Sequence, residues 1–291
     1  MKNSVGNDNV KKMELLVCGS GASEAIPALF CTCELCQKAW KNGGRDIRTR
    51  TAYQLGDEIR IDFGPDIMLH RHLYNLHYEK MKHLFITHPH RDHFQPVQLT
   101  YHIHGVEGPA ILPEEPLKLY GTAQVIQQFK DATTVDLSRY RIVLDELNPE
   151  RDVRILDNGM KITSIQAKHC PGAVSFIFEI PDHGTLFIGT DSTVFTEETW
   201  RVLSEFKFDT VILDGTAGLL EIENGSHMNA RQAVETAQRM RKEGMTSPNC
   251  KIFTNHFAHC AKMLHEDLER YYGPYDITPA YDGLRIPLEK R

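Results

Sequence analysis

The most informative segment of this sequence is His88-Pro89-His90-Arg91-Asp92-His93. The apolar run Leu84-Phe85-Ile86-Thr87 before it predicts a short β-strand, which would deliver four potential metal ligands to one loop. In a tight loop, the first two histidines can converge on one ion while Asp92 and His93 turn toward a second. Imidazole nitrogen and carboxylate oxygen suit zinc, manganese or iron. The spacing therefore predicts a site for two divalent metal ions.

Two metal ions held about 3.5–4 Å apart can share a hydroxide and clamp an in-line displacement at phosphorus. The alternative is a surface loop that happens to be rich in histidine. Four ligand-type side chains within six residues, directly after a predicted strand, favour the metal site.

Short apolar runs alternate with helical stretches along the rest of the chain. Strands are predicted over 15–18, 118–121, 161–167, 174–180, 186–189, 210–213 and 251–254, a hairpin over 54–62, and helices over 122–131, 196–206 and 229–243. The hairpin should turn near Gly56, and Thr196 should cap the second helix. This alternation predicts an α/β or α+β class with helices outside sheets. A His or Asp repeatedly follows the end of a strand, where rigid elements usually present functional loops.

The pattern His-x-His-x-Asp-His at residues 88–93 resembles the signature of the metallo-β-lactamase fold superfamily. The resemblance implies an α/β fold of four layers, an αβ/βα sandwich with its metals at one edge between two sheets. It covers nearly the whole chain. We therefore expect a single hydrolase domain over 13–291, preceded by a flexible lead-in at 1–12.

The resemblance also implies the remaining metal ligands, each after a predicted strand. His169 would be the third histidine at the first metal, Asp191 the carboxylate that bridges both metals, and His256 the last ligand of the second. Asp62 resembles an early aspartate that hydrogen-bonds a ligand without touching the metal. Such a carboxylate has a physical role, because a metal-bound histidine needs a partner on its other ring nitrogen. Asp214, at a matching strand end, is expected to orient a ligand. Taken singly, each could be a turn residue or a core histidine, but their order favours the metal site.

A cysteine cluster, Cys31-Thr32-Cys33-Glu34-Leu35-Cys36, narrows the resemblance. Because the chain has 7 cysteines, internal disulfides cannot pair them all, and a reducing cytosol favours a metal site. Together with Gly19-Ser20-Gly21, the cluster resembles the phosphoribosyl 1,2-cyclic phosphate phosphodiesterase group of the carbon–phosphorus lyase pathway. That resemblance implies a structural zinc, which closes a tetrahedral site. Its ligands would be Cys31, Cys33, Cys36 and His259. Unpaired thiols are the alternative, and Cys260 is a competing ligand.

His227 follows Gly225-Ser226 just before a predicted helix, and its place resembles that of a histidine near the scissile phosphate in phosphodiesterases of this superfamily. The resemblance implies a catalytic role for His227, which would assist the leaving oxygen. We expect the attacking hydroxide to be oriented by Asp92 or Asp191. We expect a phosphodiesterase that hydrolyses a small, cyclic ribose or nucleotide phosphate by a hydroxide bound to two metals. The alternatives are an RNA-processing nuclease of the same fold and a non-hydrolytic metal-binding accessory protein of cofactor biosynthesis.

Composition limits the partners. The net charge of −6 argues against a stable nucleic-acid partner, which requires clustered Lys and Arg. No apolar run approaches the roughly 18 residues of a membrane span, and the polar N-terminus lacks the apolar core of a secretory signal. We therefore expect a cytoplasmic protein with a small anionic substrate and no membrane partner. Relatives often form dimers, so the resemblance also implies a homodimer.

Two stretches, 101–116 and 133–155, make the chain longer than the resemblance leads us to expect. We predict that both are loops that border the substrate pocket. Ordinary structural or surface roles are predicted for His70, His72, His77, His83, His102, His104 and His183.

Overall fold

Two β-sheets of seven strands each form the interior of the structure, a computed structural model that describes residues 13–103, 111–221 and 225–290. The first sheet contains β1 (Glu14–Gly19), β2 (Ala52–Leu55), β3 (Ile59–Ile61), β4 (His83–Phe85), β5 (Leu117–Gly121), β6 (Ile142–Glu146) and β14 (Arg285–Pro287). The second contains β7 (Arg151–Ile155), β8 (Lys161–Gln166), β9 (Val174–Ile180), β10 (Gly184–Gly189), β11 (Phe208–Asp214), β12 (Thr246–Asn255) and β13 (Thr278–Pro279). Their orders are β14-β1-β2-β3-β4-β5-β6 and β13-β12-β11-β10-β9-β8-β7.

Helices cover the outer faces of both sheets. They are α1 (Glu34–Asn42), α2 (Ile67–Tyr74), α3 (Ala123–Ala132), α4 (Glu197–Leu203), α5 (Ala230–Lys242) and α6 (His265–Tyr272). α2 and α3 pack on the first sheet, whereas α1, α4, α5 and α6 pack on the second. The layers are thus helix, sheet, sheet, helix, and this arrangement confirms the predicted αβ/βα sandwich. Among the described residues, no helix combines the length and the apolarity that crossing a membrane requires.

An aromatic cluster between the sheets anchors the strand that leads to residues 88–93. Phe85 on β4 stacks on Tyr120 of β5 with ring centroids 4.3 Å apart, and it meets Phe176 of β9 edge-on at 5.5 Å. All three side chains are buried, and full burial of one such side chain is worth about 1.5–3 kcal/mol. This packing gives the loop at residues 88–93 a rigid base.

The direction of the strands gathers polar residues at one edge of the sandwich. β10, β11 and β12 run parallel, and β8 shares their direction because β8 and β10 both pair antiparallel with β9. Parallel strands present their carboxyl ends at the same edge, where such folds usually bind ligands. The residues found at or just after these ends are His169, Asp191, Asp214 and His256.

The predicted elements agree with the structure except at their boundaries and in one long stretch. The hairpin turns at Gly56, whose φ is +57°, and the Thr196 side chain accepts a hydrogen bond from the Thr199 N–H at 3.2 Å as the N-cap of α4. The prediction of a loop over 133–155 is wrong, because this stretch contains β6 and β7, which lie at the edges of the two sheets. Charged side chains on edge strands hinder pairing with other chains. The high proportion of charged residues in β7 made this strand resemble a loop in the sequence.

Parts of two other predictions lie outside the described residues. These are the lead-in at 1–12 and the central part of 101–116, residues 104–110, which include His104. The structure describes residues 101–103 of the latter stretch, and Tyr101 is the last residue of a 3-10 helix at Pro96–Tyr101.

Candidate metal centre

Asp191 lies at the centre of a cluster of histidine and carboxylate side chains. Its Oδ1 atom is 4.0 Å from His88 Nε2, 3.8 Å from His169 Nε2 and 3.2 Å from His256 Nε2. Its Oδ2 atom is 3.3 Å from His93 Nε2. The buried carboxylate therefore faces two groups of side chains at once.

The first group consists of His88, His90 and His169. His169 Nε2 lies 3.0 Å from His90 Nδ1, and the His88 and His169 rings meet edge-on with centroids 4.7 Å apart. The carbonyl oxygen of Ser226 lies 3.2 Å from His169 Nδ1 and engages that nitrogen, which leaves Nε2 directed at the cluster. Three ring nitrogens converge here from the ends of β4 and β8.

The second group consists of Asp92, His93 and His256. Asp92 Oδ2 lies 3.2 Å from His93 Nε2 and 3.5 Å from His256 Nε2, and the two ring nitrogens are 3.3 Å apart. Two imidazoles and one carboxylate thus face each other across the same space. Asp191 lies between this group and the first.

The donor set fits a pair of divalent cations. His88 Nε2 is buried and has no hydrogen-bond partner among the described residues, although leaving such an atom unsatisfied costs roughly 1–3 kcal/mol. In each group the ligand atoms lie within 4.8 Å of one another. Nitrogen and carboxylate donors of this kind suit zinc, manganese or iron. His88, His90 and His169 would hold one cation, Asp92, His93 and His256 the other, and Asp191 would contact both.

Electrostatics favour cation binding at His88, Asp92 and Asp191, whose pKa values are all low. Burial and the neighbouring His93 hold the pKa of His88 well below its usual range, so its Nε2 lone pair is free. Burial opposes ionisation of Asp92, but the adjacent His93 and His256 outweigh burial and hold its pKa far below the usual value. The same balance keeps the pKa of Asp191 low. Burial disfavours protonation of His93, but Asp191 and the neighbouring carboxylates outweigh burial and hold its pKa well above the usual value. Metal binding requires ionised carboxylates and neutral imidazoles, so a cation in the second group would displace the proton from His93 Nε2.

Asp62 orients the histidines that follow β4. Its Oδ2 atom accepts a hydrogen bond from His93 Nδ1 at 2.7 Å, and its Oδ1 atom accepts one from the Thr87 N–H at 2.8 Å. The Thr87 hydroxyl donates to Asp62 at 3.0 Å and lies 3.0 Å from His88 Nδ1. Both histidines therefore direct Nε2 into the cluster, as expected of metal ligands.

The backbone around the cluster adopts unusual conformations. Asp62, Asp191 and His256 have φ angles of 62°, 57° and 67°. Each such conformation costs a non-glycine residue on the order of 1–3 kcal/mol, and such residues cluster at functional sites. Gly64 permits the closest approach, since a Cβ atom there would lie 1.9 Å from the carbonyl oxygen of Asp92.

Asp214 organises the chain behind the cluster. Its buried Oδ1 atom accepts hydrogen bonds from the N–H groups of Thr216 and Met228 at 2.9 and 3.1 Å. Its Oδ2 atom accepts from the Asp191 N–H and from His227 Nδ1, both at 3.0 Å. A single carboxylate thus fixes the backbone of the bridging aspartate and the ring of His227.

His227 lies beside both groups of ligands. Its ring centroid is 4.7 Å from that of His169 and 5.2 Å from that of His256. Burial disfavours protonation of His227, but the Asp214 carboxylate outweighs this effect and raises its pKa to about 9. At neutral pH the ring is therefore a cation, with a proton on each nitrogen, next to the cluster.

A second site lies where α1 begins. His259 Nδ1 is 3.5, 3.8 and 3.6 Å from the sulfur atoms of Cys31, Cys33 and Cys36. The Cys36 backbone and the His259 ring stabilise the Cys33 thiolate and lower its pKa to about 6. Glu24 accepts a hydrogen bond from the backbone N–H of His259 at 3.2 Å and lies 3.8 Å from its Nε2, so Nδ1 is left to face the three sulfur atoms. Four such ligand atoms fit a structural zinc.

The structure brings every predicted site residue into one of these two clusters. The first cluster contains His88, His90, Asp92, His93, His169, Asp191 and His256, supported by Asp62 and Asp214 and flanked by His227. The sequence did not point to Thr87, Thr216 or Glu24, which contact ligand histidines. Thr87 and Thr216 lie within two residues of a predicted site residue, which indicates a role in the site only weakly. Nothing in the sequence indicates such a role for Glu24.

Comparisons with known proteins agree with the fold. The sequence profile of the beta-lactamase superfamily domain matches residues 58–246. No curated protein matches the sequence.

Several solved structures have the same fold over nearly the whole chain. A diphosphatase of the PhnP family is 19% identical with a TM-score of 0.73, and the match covers 96% of this chain and 99% of that one. Zinc-bound PqqB from Methylobacterium extorquens is 15% identical with a TM-score of 0.67, covering 95% and 100%. The short form of human tRNase Z is 17% identical with a TM-score of 0.65, covering 95% and 99%. At these identities the likeness shows the fold and leaves the activity to be argued from the site.

Proposed function

This chain belongs to the beta-lactamase superfamily, and we propose that it is a metal-dependent phosphodiesterase that opens a small cyclic phosphate of ribose or of a nucleotide. The observation that carries the proposal is the convergence of His88, His169 and His256, from three separate strand ends, on the Asp191 carboxylate. Protonated His227 lies beside that convergence. Hydrolysis of a phosphodiester benefits from both features, because its phosphate oxygens need positive charge and its leaving alkoxide needs a proton.

Two divalent cations, when bound, would polarise the phosphate oxygens and acidify a water molecule. The protein's own residues would orient the reactants. Asp92, ionised beside His93 and His256, would direct the attacking water toward phosphorus. His227 would give its Nε2 proton to the leaving oxygen while Asp214 holds Nδ1. One P–O ester bond breaks as the bond from water oxygen to phosphorus forms, and the product is a phosphomonoester with a free hydroxyl.

The choice of a cyclic ribose or nucleotide ester has two supports. One is the sequence resemblance at Cys31, Cys33 and Cys36, and the other is the chemistry of the leaving group. A ribose alkoxide leaves poorly without a proton, so a site with a proton donor next to the metal ligands suits this class. A small dianionic product is also compatible with a protein whose net charge is −6, because the cations supply the local positive charge.

A substrate panel tests the proposal. The protein, loaded with zinc or manganese, should open a cyclic ribose phosphate or a 2′,3′-cyclic nucleotide and should lose this activity when a chelator removes the metal. Turnover confined to a precursor tRNA would favour the RNA-processing alternative. Full metal loading without turnover of any phosphodiester would overturn the proposal and favour an accessory role.

The role of His227 as proton donor has a separate test. In His227→Asn, hydrolysis of a cyclic nucleotide should fall by roughly 10²–10⁴-fold, which is the usual contribution of general acid catalysis. Hydrolysis of bis(p-nitrophenyl) phosphate should fall far less, since p-nitrophenolate leaves without a proton. His72→Asn, at an exposed histidine of α2, is the matched control and should behave as wild type. An equal loss on both substrates would contradict the donor role.

A further inference from the structure

One buried hydroxyl connects the metal ligand His256 to the proton donor His227. We propose that Thr216 is a positioning residue that orients both rings through this hydroxyl. Thr216 Oγ1 lies 2.8 Å from His256 Nδ1 and 3.1 Å from His227 Nδ1. The inference rests on the proposed function insofar as it takes the Asp191 cluster to bind cations.

Thr216 is held in place by its own backbone. Its N–H donates to Asp214 Oδ1 at 2.9 Å, and its carbonyl oxygen accepts from the Ala258 N–H at 3.3 Å. The residue is only 7% exposed. The hydroxyl therefore has a fixed position relative to the loop that carries His256, and it can serve as a rigid acceptor.

The geometry decides which nitrogen of His256 needs this acceptor. His256 Nε2 faces His93 Nε2 at 3.3 Å and Asp191 Oδ1 at 3.2 Å, so Nε2 is the atom that a cation would contact. The ring proton must then be on Nδ1, and a buried N–H requires a partner. Thr216 Oγ1 has this role for His256, as Asp62 has it for His93.

The same oxygen also sets the spacing of the two rings. The His227 and His256 rings stack at a centroid distance of 5.2 Å with an angle of 15° between planes. His227 Nδ1 donates to Asp214 and lies within reach of Thr216 Oγ1. Loss of the hydroxyl should therefore let both rings reorient. This would weaken the binding of one cation and misplace the proton donor.

Three variants test the inference. Thr216→Val keeps the shape and removes the acceptor, and Thr216→Ser restores it. Thr163→Val is the matched control, because Thr163 is fully buried and its hydroxyl has no partner among the described residues. Zinc affinity is measured by competition with a chelator, and exchange of the His256 Nδ1–H with water is followed by NMR in zinc-loaded protein.

Thr216→Val should bind one of its two cluster cations roughly 10–100-fold more weakly, the usual cost of losing such a partner. Its His256 Nδ1–H should exchange faster, and its kcat should fall more than its KM rises. Thr216→Ser should recover all three properties, and Thr163→Val should match wild type. Wild-type zinc affinity in a folded Thr216→Val would overturn the inference.

Two further results separate the possible failures. If Thr216→Val does not fold, the wild-type protein still decides, because rapid exchange of its His256 Nδ1–H would refute the hydrogen bond to Thr216. If wild-type protein hydrolyses no phosphodiester, the proposed function fails. The affinity measurements then still test whether Thr216 positions His256.

Discussion

One buried arginine behind the cluster fixes the protonation state of a neighbouring histidine. Arg60 is fully buried, and it donates to the Asp62 carbonyl oxygen at 2.9 Å and to His70 Nδ1 at 3.1 Å. A guanidinium group can only donate, so His70 Nδ1 must carry no proton. His70 Nε2 then donates to the Thr49 hydroxyl at 2.8 Å. Burial, followed by the charge of Arg60, lowers the pKa of His70 to about 2.

This arrangement predicts a specific dependence of stability on pH. In the unfolded chain the pKa of His70 is near 6.5, whereas in the folded protein it is about 2. Between these two pH values the unfolded state binds a proton at His70 that the folded state does not bind. The folded state therefore loses stability as pH falls below 6.5, and His70 should account for about 2 kcal/mol of the loss between pH 7 and pH 5. Urea unfolding of metal-free wild type and His70→Gln at both pH values measures this difference. An equal loss of unfolding free energy between pH 7 and pH 5 in the two proteins would contradict this role of His70.

Single residues were predictable where their chemistry is specific and their spacing is short. His88, His90, Asp92 and His93 offer ligand-type atoms within one loop, so it could be predicted before the fold was known that they would lie close together. The hydroxyl of Thr216 could not be predicted in this way. Its contact with His256 depends on how two loops meet after β11 and β12, and threonine is common in loops without such a role.

At the level of elements, buried strands were predictable and charged edge strands were not. Val174–Ile180 is almost wholly apolar because β9 is buried on both faces, between α-helices and the opposite sheet. Arg151–Ile155 is exposed along one side, and Arg151 pairs with Glu205 at 2.7 Å. Such a strand lacks the apolar signal that burial imposes on a sequence.

Two helix caps allow stability to be separated from function. The Thr196 hydroxyl caps α4, and Asn229 caps α5 by accepting from the Gln232 N–H at 2.9 Å. Replacement of either residue by Ala should lower the free energy of unfolding by about 1 kcal/mol. Only Asn229→Ala should also reduce phosphodiester hydrolysis, because Asn229 follows His227 by two residues and fixes the start of α5. Urea unfolding and kcat are measured for both, and equal activity in the two variants would disprove the link between this cap and His227.

At the level of the whole molecule, the two ends of the described chain are joined within the first sheet. β14 pairs with β1, and the Asp282 carboxylate accepts from the N–H groups of Ser20 and Thr49 at 2.8 and 2.7 Å and from both hydroxyls at 2.6 Å. The layered fold followed from a resemblance to known proteins, whereas local periodicity could not give the order of strands, since that order depends on contacts distant in sequence.

The cysteine cluster adds a second connection between distant parts of the chain, because Cys31, Cys33 and Cys36 meet His259. A ligand that binds only the folded state at a hundred times its dissociation constant contributes about 2.7 kcal/mol. For a chain of 291 residues, that contribution corresponds to roughly 4–5 °C in the midpoint of thermal unfolding. Cys33→Ser should therefore bind one zinc fewer per chain and unfold at a temperature lower by about that amount. Cys260→Ser changes a neighbouring exposed thiol and should match wild type.

Activity at 25 °C should change less than stability in Cys33→Ser. Backbone hydrogen bonds from Ala22 to Phe257 and from Phe257 to Ser20, both 2.9 Å, hold the loop of His256 without any zinc. Zinc content, thermal unfolding and kcat are measured on the same preparations. If Cys33→Ser retains the full zinc content of wild type, these cysteines do not bind the metal. If its kcat falls as steeply as that of Thr216→Val, the backbone bonds alone do not hold His256 in place.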